Sequence, residues 1–186
     1  MYIIETARLG LRLWQDKDIP LFIKMNQDPK VMEFFPKMLS PEESMGMVER
    51  IKRHFTEHGF GLWAVEAKAD QTFIGFIGLS VPPFAVPQYE TAFRPHVEVG
   101  WRLASEYWGR GFAQEGARAC LEYGFKQFEL GEIISFTSAL NLRSENVMKK
   151  VGMEFVKRFE HPNLESGHRL SSHLLYLKKR DGENMD

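Results

Sequence analysis

Two glycines ahead of a predicted helix are the most specific chemical signal in this sequence. Gly109 and Gly111 flank Arg110, and an apolar helical pattern extends from there to about residue 128. Glycine lets the main chain approach a ligand closely, and the first turn of a helix presents unpaired N–H groups at the positive end of its dipole. This arrangement predicts an anion site, for which phosphate is the best ligand.

Basic side chains near this turn could strengthen the site, although the charge of the whole chain is balanced. Arg110 and Arg118, with Arg143 or Lys149 from a later helix, are the cations that could contribute. Lysine and arginine together number 24, and aspartate and glutamate number 25. No overall excess therefore indicates nucleic acid or an anionic membrane as a partner, and any anion site must be local.

Two common phosphate-binding motifs fit this segment poorly. A Rossmann dinucleotide motif needs a third glycine, and from Gly109 that position is Gln114. The preceding strand also follows the middle of the chain, where no fresh strand–helix–strand unit begins. A P-loop needs Gly-Lys-Ser/Thr, which does not occur in the sequence. The Rossmann interpretation is weak, and the P-loop interpretation is excluded.

Hydrophobic periodicity and turn residues predict a mixture of strands and helices. The predicted strands cover residues 8–14, 62–67, 72–81, 96–103, 132–139, 153–159 and 173–179. Helices are predicted after Asp16, over 111–128 and 144–151, and after Ser40, where Glu43 would close a capping box. The proline-rich loop 82–95 is long enough to suggest a functional flap.

The glycine segment resembles the acetyl-CoA-binding motif of the GNAT N-acetyltransferases, Gln/Arg-x-x-Gly-x-Gly/Ala. Residues 108–113 are WGRGFA, in which the Gly and the Ala match and tryptophan departs at the first position. The string YWGRGFAQE is similar to the branch that contains the ribosomal-protein-alanine N-acetyltransferases. A second signature, NLRS at residues 141–144 with Val147-Met148 and Gly152-Met153, is similar to the family's Asn-x-x-Ser/Ala to Gly-Phe pattern.

The resemblance extends from Leu9 to Lys179 and implies the GNAT fold. That fold is mixed α/β, with a central, twisted, mostly antiparallel sheet of about seven strands and four helices. Its fourth and fifth strands, here residues 96–103 and 132–139, splay apart. We expect a single acetyltransferase domain over residues 1–180 and a frayed C-terminal tail over residues 181–186.

The same resemblance implies acetyl-CoA as a co-substrate, with no metal ion, and assigns the contacts of the CoA. The pantetheine arm would pair with Trp101, Arg102 and Leu103. Asn141 would contact the CoA arm. The pyrophosphate would lie on the glycine turn, at Gly109, Arg110, Gly111, Phe112 and Ala113.

Acetyl transfer to an amine needs a proton acceptor, because an ammonium cannot attack the thioester. Glu98 matches in position the glutamate that serves as the base in histone-acetylating relatives. The alternative for Glu98 is a strand carboxylate that faces solvent or pairs with an arginine. Glu33 and Glu90 are weaker rivals for the role of base.

The departing thiolate needs a proton, which many relatives supply from a tyrosine seven residues after the motif asparagine. Met148 occupies that position here, so the tyrosine mechanism does not carry over. In the branch that this chain resembles, a serine three residues after the asparagine has been assigned the role, and that serine would be Ser144. Ser144 also begins the short predicted helix, where it could serve as the N-cap.

Five histidines could in principle bind a metal ion or contact a substrate. His54 and His58 have the spacing of a metal pair, but no HExxH string or obvious third ligand accompanies them, so a polar helix face is expected. His161, His168 and His173 surround the last loop, where solvation is expected ahead of contact with a substrate.

We therefore expect an acetyl-CoA-dependent N-acetyltransferase, monomeric or homodimeric, that acetylates a protein N-terminus or a small amine. Phe34, Phe35 and residues 82–84 would wall the acceptor pocket and favour a modest, partly apolar acceptor. A non-catalytic, CoA-binding regulatory module with the same fold is the alternative. The single Cys120 favours a reducing cytoplasm, and the absence of a signal-like N-terminus or a long apolar span argues against a membrane partner.

Overall fold

The strands form one mixed sheet, and the helices pack on its two faces. The computed structural model describes residues 1–87, 89 and 95–180. The helices are α1 (Ile19–Asn26), α2 (Pro41–His58), α3 (Phe112–Gln127) and α4 (Leu142–Lys150), with short 3₁₀ turns at Asp16–Asp18 and Ser105–Tyr107. The strands are β1 (Ile4–Glu5), β2 (Leu9–Arg12), β3 (Leu62–Ala67), β4 (Thr72–Ser80), β5 (Glu98–Leu103), β6 (Glu132–Ser138), β7 (Glu154–Glu160) and β8 (Ser172–Lys179).

The sheet has the strand order β1-β2-β3-β4-β5-β6-β8-β7. Neighbouring strands are antiparallel except β5 and β6, which are parallel. Parallel neighbours require a crossover connection, and here that crossover contains α3. The start of α3 therefore lies beyond the end of β5, beside the border between the two parallel strands. The expected fold class, with a mostly antiparallel sheet and four helices, is confirmed.

β5 and β6 separate soon after they meet. Within the described residues, Glu98 and Ile134 are their one pair in register, whereas β5 pairs with β4 over its whole length. The Ile134 N–H donates to the Val97 carbonyl at 2.9 Å, and the Ser135 hydroxyl donates to the Val99 carbonyl at 2.9 Å. Beyond these bonds β5 has no partner strand on this side, as the predicted splay requires.

Helices cover the two faces of the sheet and divide the side chains of β5 between them. α3 packs on one face, together with Val99 and Leu103 of β5. Gly116 allows this close approach, because a Cβ there would lie 2.4 Å from the Cδ1 of Ile77. α1 and α2 cover the opposite face, on which Arg102 lies over a phenylalanine ring of β4. Even-numbered residues of β5 therefore point toward the α1–α2 side.

The N-terminal part of the sheet differs from its prediction. The two-residue β1 raises the strand count to eight, because Ile4 pairs with Leu11 of β2. β2 is also shorter than the predicted strand, and both of its faces are buried. Arg12 is buried because it pairs with Asp18 at 2.7 Å and with Glu66 at 3.0 Å, which neutralises its charge.

Other expectations about the chain ends and helices have mixed outcomes. The capping box at Ser40 is confirmed, since its hydroxyl accepts from the Glu43 N–H and the Glu43 carboxylate accepts from the Ser40 N–H. The predicted tail at residues 181–186 lies outside the described residues. The suspected flap is described at residues 82–87, 89 and 95. In the described part of the chain, no helix is long and apolar enough to cross a bilayer.

Candidate active site

A cavity of about 700 Å³ occupies the gap between β5 and β6 and the ends of the helices beside it. Side chains from both faces of the sheet line this cavity, so it joins the start of α3 to the α1–α2 side. Arg110 is the residue of the predicted site that does not line it. The predicted residues that do are Glu98, Trp101, Arg102, Leu103, Gly109, Gly111, Phe112, Ala113, Asn141 and Ser144.

The first turn of α3 meets the cavity without a side-chain cap from the described residues. Gly111 is the N-cap with a φ of 79°, and Gly109 has a φ of 75°. Both values lie in the left-handed region that favours glycine. A Cβ on Gly109 would meet open space, so the turn leaves room for a ligand beside its N–H groups. The turn therefore has the open, uncapped backbone geometry on which the expected anion site depends.

Three of the four cations predicted to assist this turn are engaged elsewhere. Arg118 donates to a backbone carbonyl at the end of α4 at 3.2 Å, and Lys149 pairs with Glu145 at 2.7 Å. Arg110 lies over a tyrosine ring, 5.4 Å from its centre, and has no acidic partner within the described ranges. Arg143 lines the cavity but pairs with Glu33 at 2.7 Å. Arg110 therefore stays the one of the four predicted cations whose charge is not engaged by a carboxylate or a carbonyl among the described residues, although it lies outside the cavity lining.

Arg8 is a further cation at the glycine turn, and the sequence analysis missed it. Its Nη1 donates to the Arg110 carbonyl at 2.9 Å, and its Nη2 lies 3.5 Å from the position of a Cβ on Gly111. Glu115, in the first turn of α3, holds Arg8 through an ion pair of 2.6 Å. No local pattern reveals this contact, because Arg8 and the turn lie far apart along the chain.

The backbone of β5 faces the gap at Trp101. Val97 and Val99 accept hydrogen bonds from β6, and the alternation of a strand turns the Trp101 backbone groups to the same side. Those of Arg102 turn to β4, while the Leu103 carbonyl accepts from an indole N–H at 2.8 Å. Of the three residues predicted to pair with pantetheine, Trp101 alone keeps both backbone groups without a partner in the described structure. Arg102 instead contributes its side chain to the cavity.

Glu98 lies where β5 and β6 part, with its side chain in the cavity wall. Its Oε1 is 4.0 Å from the position of a Cβ on Gly100, so the carboxyl lies close to that glycine. Neither a hydrogen bond nor an ion pair joins it to another described residue. Burial raises the pKa of the Glu98 carboxyl to about 8, because the charged form loses hydration. Glu98 is half-buried, and no described arginine pairs with it, so the alternative of an arginine-paired carboxylate is wrong.

Asn141 and Ser144 form a reciprocal pair at the start of α4. Asn141 is the N-cap, and its Oδ1 accepts from the Ser144 N–H at 3.1 Å. Its Nδ2 donates to the Ser144 Oγ at 3.1 Å. α4 begins at Leu142, so the expectation that Ser144 caps this helix is wrong. Because the Ser144 hydroxyl accepts from Asn141, its own proton is free for a third group.

Met148 stands where many relatives carry their tyrosine. It is fully buried and lines the same cavity as Ser144. A thioether has no proton to donate, so Met148 can shape this wall but cannot protonate a leaving group.

Of the two rival carboxylates, the structure describes Glu33, which does not reach the cavity. Glu33 is not part of its lining, and its carboxylate pairs with Arg143 at 2.7 Å. Arg143 in turn lies 4.6 Å from the ring centre of Trp108. Glu90 lies outside the described residues. Among the residues that the structure describes, Glu98 supplies the one carboxylate in the cavity lining.

Aromatic side chains form the wall of the cavity on the α1–α2 side. Phe34 and Phe35 line it as expected, and Phe136 of β6 lines it as well. Phe84, from the predicted loop, does not line the cavity but packs behind Phe136, with 5.5 Å between ring centres. The expected contribution of residues 82–84 to this wall is therefore indirect.

Two histidines of the last loop belong to this wall and are not simply solvated. His161 and His173 line the cavity, and their ring centres are 4.8 Å apart. Burial lowers the pKa of both imidazoles, that of His161 to about 4. The expectation of solvation is wrong for these two, which are neutral near pH 7. His168 is not part of the lining.

The His54–His58 pair serves the fold. The two nitrogens of His54 both contact backbone: Nδ1 lies 2.8 Å from the Phe60 carbonyl oxygen, and Nε2 accepts from the Val81 N–H at 3.0 Å. An imidazole engaged in this way has no nitrogen left for a metal ion. Over the described ranges, no group of three or more His, Cys, Asp or Glu side chains is placed to hold a metal.

Comparison with known proteins identifies relatives of this chain. A family model described as an acetyltransferase (GNAT) domain matches residues 8–154. YkkB, an uncharacterized protein of Bacillus subtilis, is 33% identical over 155 residues, which cover 83% of this chain and 86% of YkkB. The Aspergillus fumigatus protein named FsC-acetyl coenzyme A-N(2)-transacetylase is 30% identical over 160 residues, covering 84% of this chain and 66% of that protein.

Solved structures share the arrangement of strands and helices. An acetyltransferase of the GNAT family from Bacillus anthracis superposes with a TM-score of 0.75 at 25% identity, covering 95% of this chain and 97% of that one. The ribosomal-protein-S5-alanine acetyltransferase of Vibrio fischeri superposes with a TM-score of 0.73 at 18% identity, covering 96% of each chain. At 18% identity the second likeness concerns the fold.

The half-buried, desolvated Glu98 carboxyl makes stability depend on pH in a predictable direction. Its pKa is about 8 in the folded chain and about 4.3 in an unfolded one, so between these values the folded state binds the extra proton. Stability contributed by this group is therefore lost as pH rises from about 4 to about 8. Glu98→Gln lacks this titration. Its free energy of unfolding, measured by chemical denaturation, should therefore rise relative to that of wild type between these pH values, by on the order of a few kcal/mol.

The matched control is Glu122→Gln, which alters an exposed carboxylate of α3. Its stability difference from wild type should stay flat over the same range of pH. If the difference in free energy of unfolding between Glu98→Gln and wild type also does not change with pH, the Glu98 carboxyl is solvated in the folded protein.

Proposed function

The chain belongs to the GNAT acetyltransferase family, and from this premise we propose that it transfers the acetyl group of acetyl-CoA to a primary amine by direct attack on the thioester. Curated relatives are named as N-acetyltransferases, so an enzyme of this class is expected and confirmed. The observation that carries the proposal is the single cavity that joins the uncapped start of α3 to the desolvated Glu98 carboxyl.

Acetyl-CoA binding in the gap is supported by the chemistry of the residues on its α3 side. The N–H groups at the start of α3, with Arg110 and Arg8 nearby, suit the pyrophosphate. The Trp101 backbone groups, which lack a partner on β6, suit the amides of the pantetheine arm. The thioester would then reach the splay beside Glu98, and α4 would supply Asn141 and Ser144 on the opposite side of the CoA arm.

Glu98 is proposed as the acceptor of the ammonium proton. A primary ammonium has a pKa of about 8 at an N-terminus and about 10.4 on lysine, so the acceptor arrives mostly protonated at neutral pH. The positive charge of that ammonium favours the ionised carboxylate, which offsets the cost of burying it. A carboxyl with a pKa of about 8 is a stronger base than an ordinary glutamate, and it is well matched to an amine.

Ser144 is proposed as the proton donor to the departing thiolate. Its hydroxyl accepts from the Asn141 amide, which leaves the hydroxyl hydrogen to point into the cavity. The demand on this group is small, because a thiol pKa near ~8.5 makes the thiolate a good leaving group without strong acid catalysis.

Acceptors of two kinds are compatible with this chemistry: a protein N-terminus and a small amine. Solved structures with the same fold include enzymes named for a ribosomal protein and for spermidine, which correspond to a protein acceptor and a small amine acceptor. The cavity has an aromatic wall with two neutral histidines, which supports an acceptor of modest size with an apolar part. The alternative of a non-catalytic module is favoured by Met148 in the place of the tyrosine, whereas the Glu98 carboxyl and the Ser144 hydroxyl in the cavity lining support catalysis.

The first test measures thiol release from acetyl-CoA with primary amines and N-terminal peptides, in wild type and in Gly111→Asn and Gly111→Asp. Both substitutions tolerate the left-handed φ of this position and have similar size, but only aspartate adds negative charge at the pyrophosphate site. We expect amine-dependent release in wild type and a KM for acetyl-CoA about tenfold or more higher in the aspartate variant than in the asparagine variant.

Gly167→Asp serves as the control, because Gly167 has a φ of 82° in a loop and open space around it. Its KM for acetyl-CoA should equal that of wild type. Equal KM values in the two Gly111 variants would contradict the pyrophosphate assignment. Folded, CoA-binding protein that releases no thiol with any amine would contradict the proposed function and favour the regulatory module.

A second test separates catalysis by Ser144 from stability. Ser144→Ala leaves the Asn141 cap in place, so the free energy of unfolding should change by less than about 1 kcal/mol. Turnover should fall about tenfold, below the usual ~10²–10⁴ of general acid–base catalysis, because the thiolate leaves readily. Asn141→Ala has the opposite effect on stability, because it removes the N-cap of α4 and should lower the free energy of unfolding by about 1 kcal/mol. Wild-type turnover in folded Ser144→Ala would remove Ser144 from the mechanism.

A further inference from the structure

A buried guanidinium without a counter-charge lies on the acceptor side of the cavity. Arg102 is only 9% exposed, and its side chain points to the α1–α2 face of β5. Its Nη1 donates to the buried Asn26 Oδ1 at 2.8 Å, and its plane lies 4.0 Å from the ring centre of Phe35. Its Nε is buried without a hydrogen-bond partner among the described residues.

Arg102 is positively charged at neutral pH, and no described carboxylate neutralises that charge. Within the described residues no carboxylate pairs with it, and burial lowers the pKa of the guanidinium only to about 10, so it stays protonated at neutral pH. A buried arginine is ordinarily paired, because leaving a desolvated charge alone is costly. The other buried arginine, Arg12, follows that rule with Asp18 and Glu66. Arg102 departs from that rule and lines the cavity, where a ligand could supply the missing anion.

Arg102 and Glu98 lie on the same face of β5 with Gly100 between them. Four residues of strand separate their Cα atoms by about 13 Å. The Glu98 carboxyl approaches Gly100, and the absence of a side chain there leaves the space between the two charged groups open. An acceptor in this space meets a proton acceptor at one end and a positive charge at the other.

We propose that the acceptor of this enzyme is an amine that also carries an anionic group, as an amino acid does, and that Arg102 binds that group. The inference rests on the proposed function. The amine would lie at Glu98, and the carboxylate would take the guanidinium donors of Arg102 that Asn26 leaves free. A planar guanidinium suits a planar carboxylate, and stacking on Phe35 holds its orientation. Arg102 is thereby a specificity-determining residue on the acceptor side, separate from the pyrophosphate turn.

The experiment compares amino acids with their carboxamides, which differ only in the anionic group. α-Amino acids and ω-amino acids of increasing chain length vary the distance between amine and carboxylate. The carboxamide has the more readily neutral amine, because it lacks the adjacent negative charge, so intrinsic reactivity favours the carboxamide. We expect wild type to reverse that order, with kcat/KM at the best chain length about 10–100-fold higher for the acid.

Arg102→Met keeps an apolar stem and removes the charge, and Arg102→Lys keeps the charge without the planar fork. The methionine variant should lose the preference for the acid, the lysine variant should recover part of it, and affinity for CoA should stay at its wild-type value in both. Arg53→Met, on the exposed face of α2, is the control that should keep the preference. Thermal unfolding confirms that each variant is folded.

A binding measurement decides the inference even without turnover. In the presence of CoA, calorimetry should show wild type binding the best amino acid more tightly than its carboxamide, and Arg102→Met binding the two equally. Equal binding of both by wild type overturns the role of Arg102, whether or not acetyl transfer occurs. Preference for the acid in binding with no thiol release supports the role of Arg102 and overturns the proposed function.

Discussion

A parallel strand pair that meets at Glu98 and Ile134 and then separates leaves one edge of β5 without a partner strand. Unpaired backbone groups inside a protein are costly unless a ligand, water or side chain satisfies them. The Ser135 hydroxyl satisfies the Val99 carbonyl, and the next groups toward α3, those of Trp101, open onto the cavity. The gap is thus a binding surface that the sheet itself creates, and the crossover through α3 sets the glycine turn at its end.

The same parting of the strands gives Glu98 its chemistry. A carboxyl at the surface would ionise near its ordinary pKa, but this one is desolvated and its pKa rises to about 8. Arg102 is desolvated on the same strand face and keeps its charge. Gly100 lies between them on this face, so β5 carries a carboxyl with a raised pKa and a fixed cation that are kept apart and do not form an ion pair. That separation is what a zwitterionic acceptor would exploit.

The glycine turn, the strand of Glu98 and the cap of α2 could be predicted from sequence because each depends on neighbours in the chain. Local spacing could not show that Arg8 meets the turn, or that Arg102 is buried against Asn26 with no carboxylate beside it, because those contacts join distant segments. The prediction that Ser144 caps α4 is wrong because two neighbouring residues can both play that part. Asparagine and serine both cap helices, and only the backbone shows that Asn141 takes the cap and leaves the Ser144 hydroxyl to the cavity.

The central claim, that Glu98 takes the proton of the acceptor, is tested by kcat/KM for an amine acceptor against pH in wild type and in Glu98→Gln. The ratio of the two values cancels the acceptor's own ionisation and leaves the titration of Glu98. The account predicts a ratio that rises about tenfold per pH unit below a pKa of about 8 and levels above it at about 10²–10⁴. A ratio near one at every pH would contradict the account.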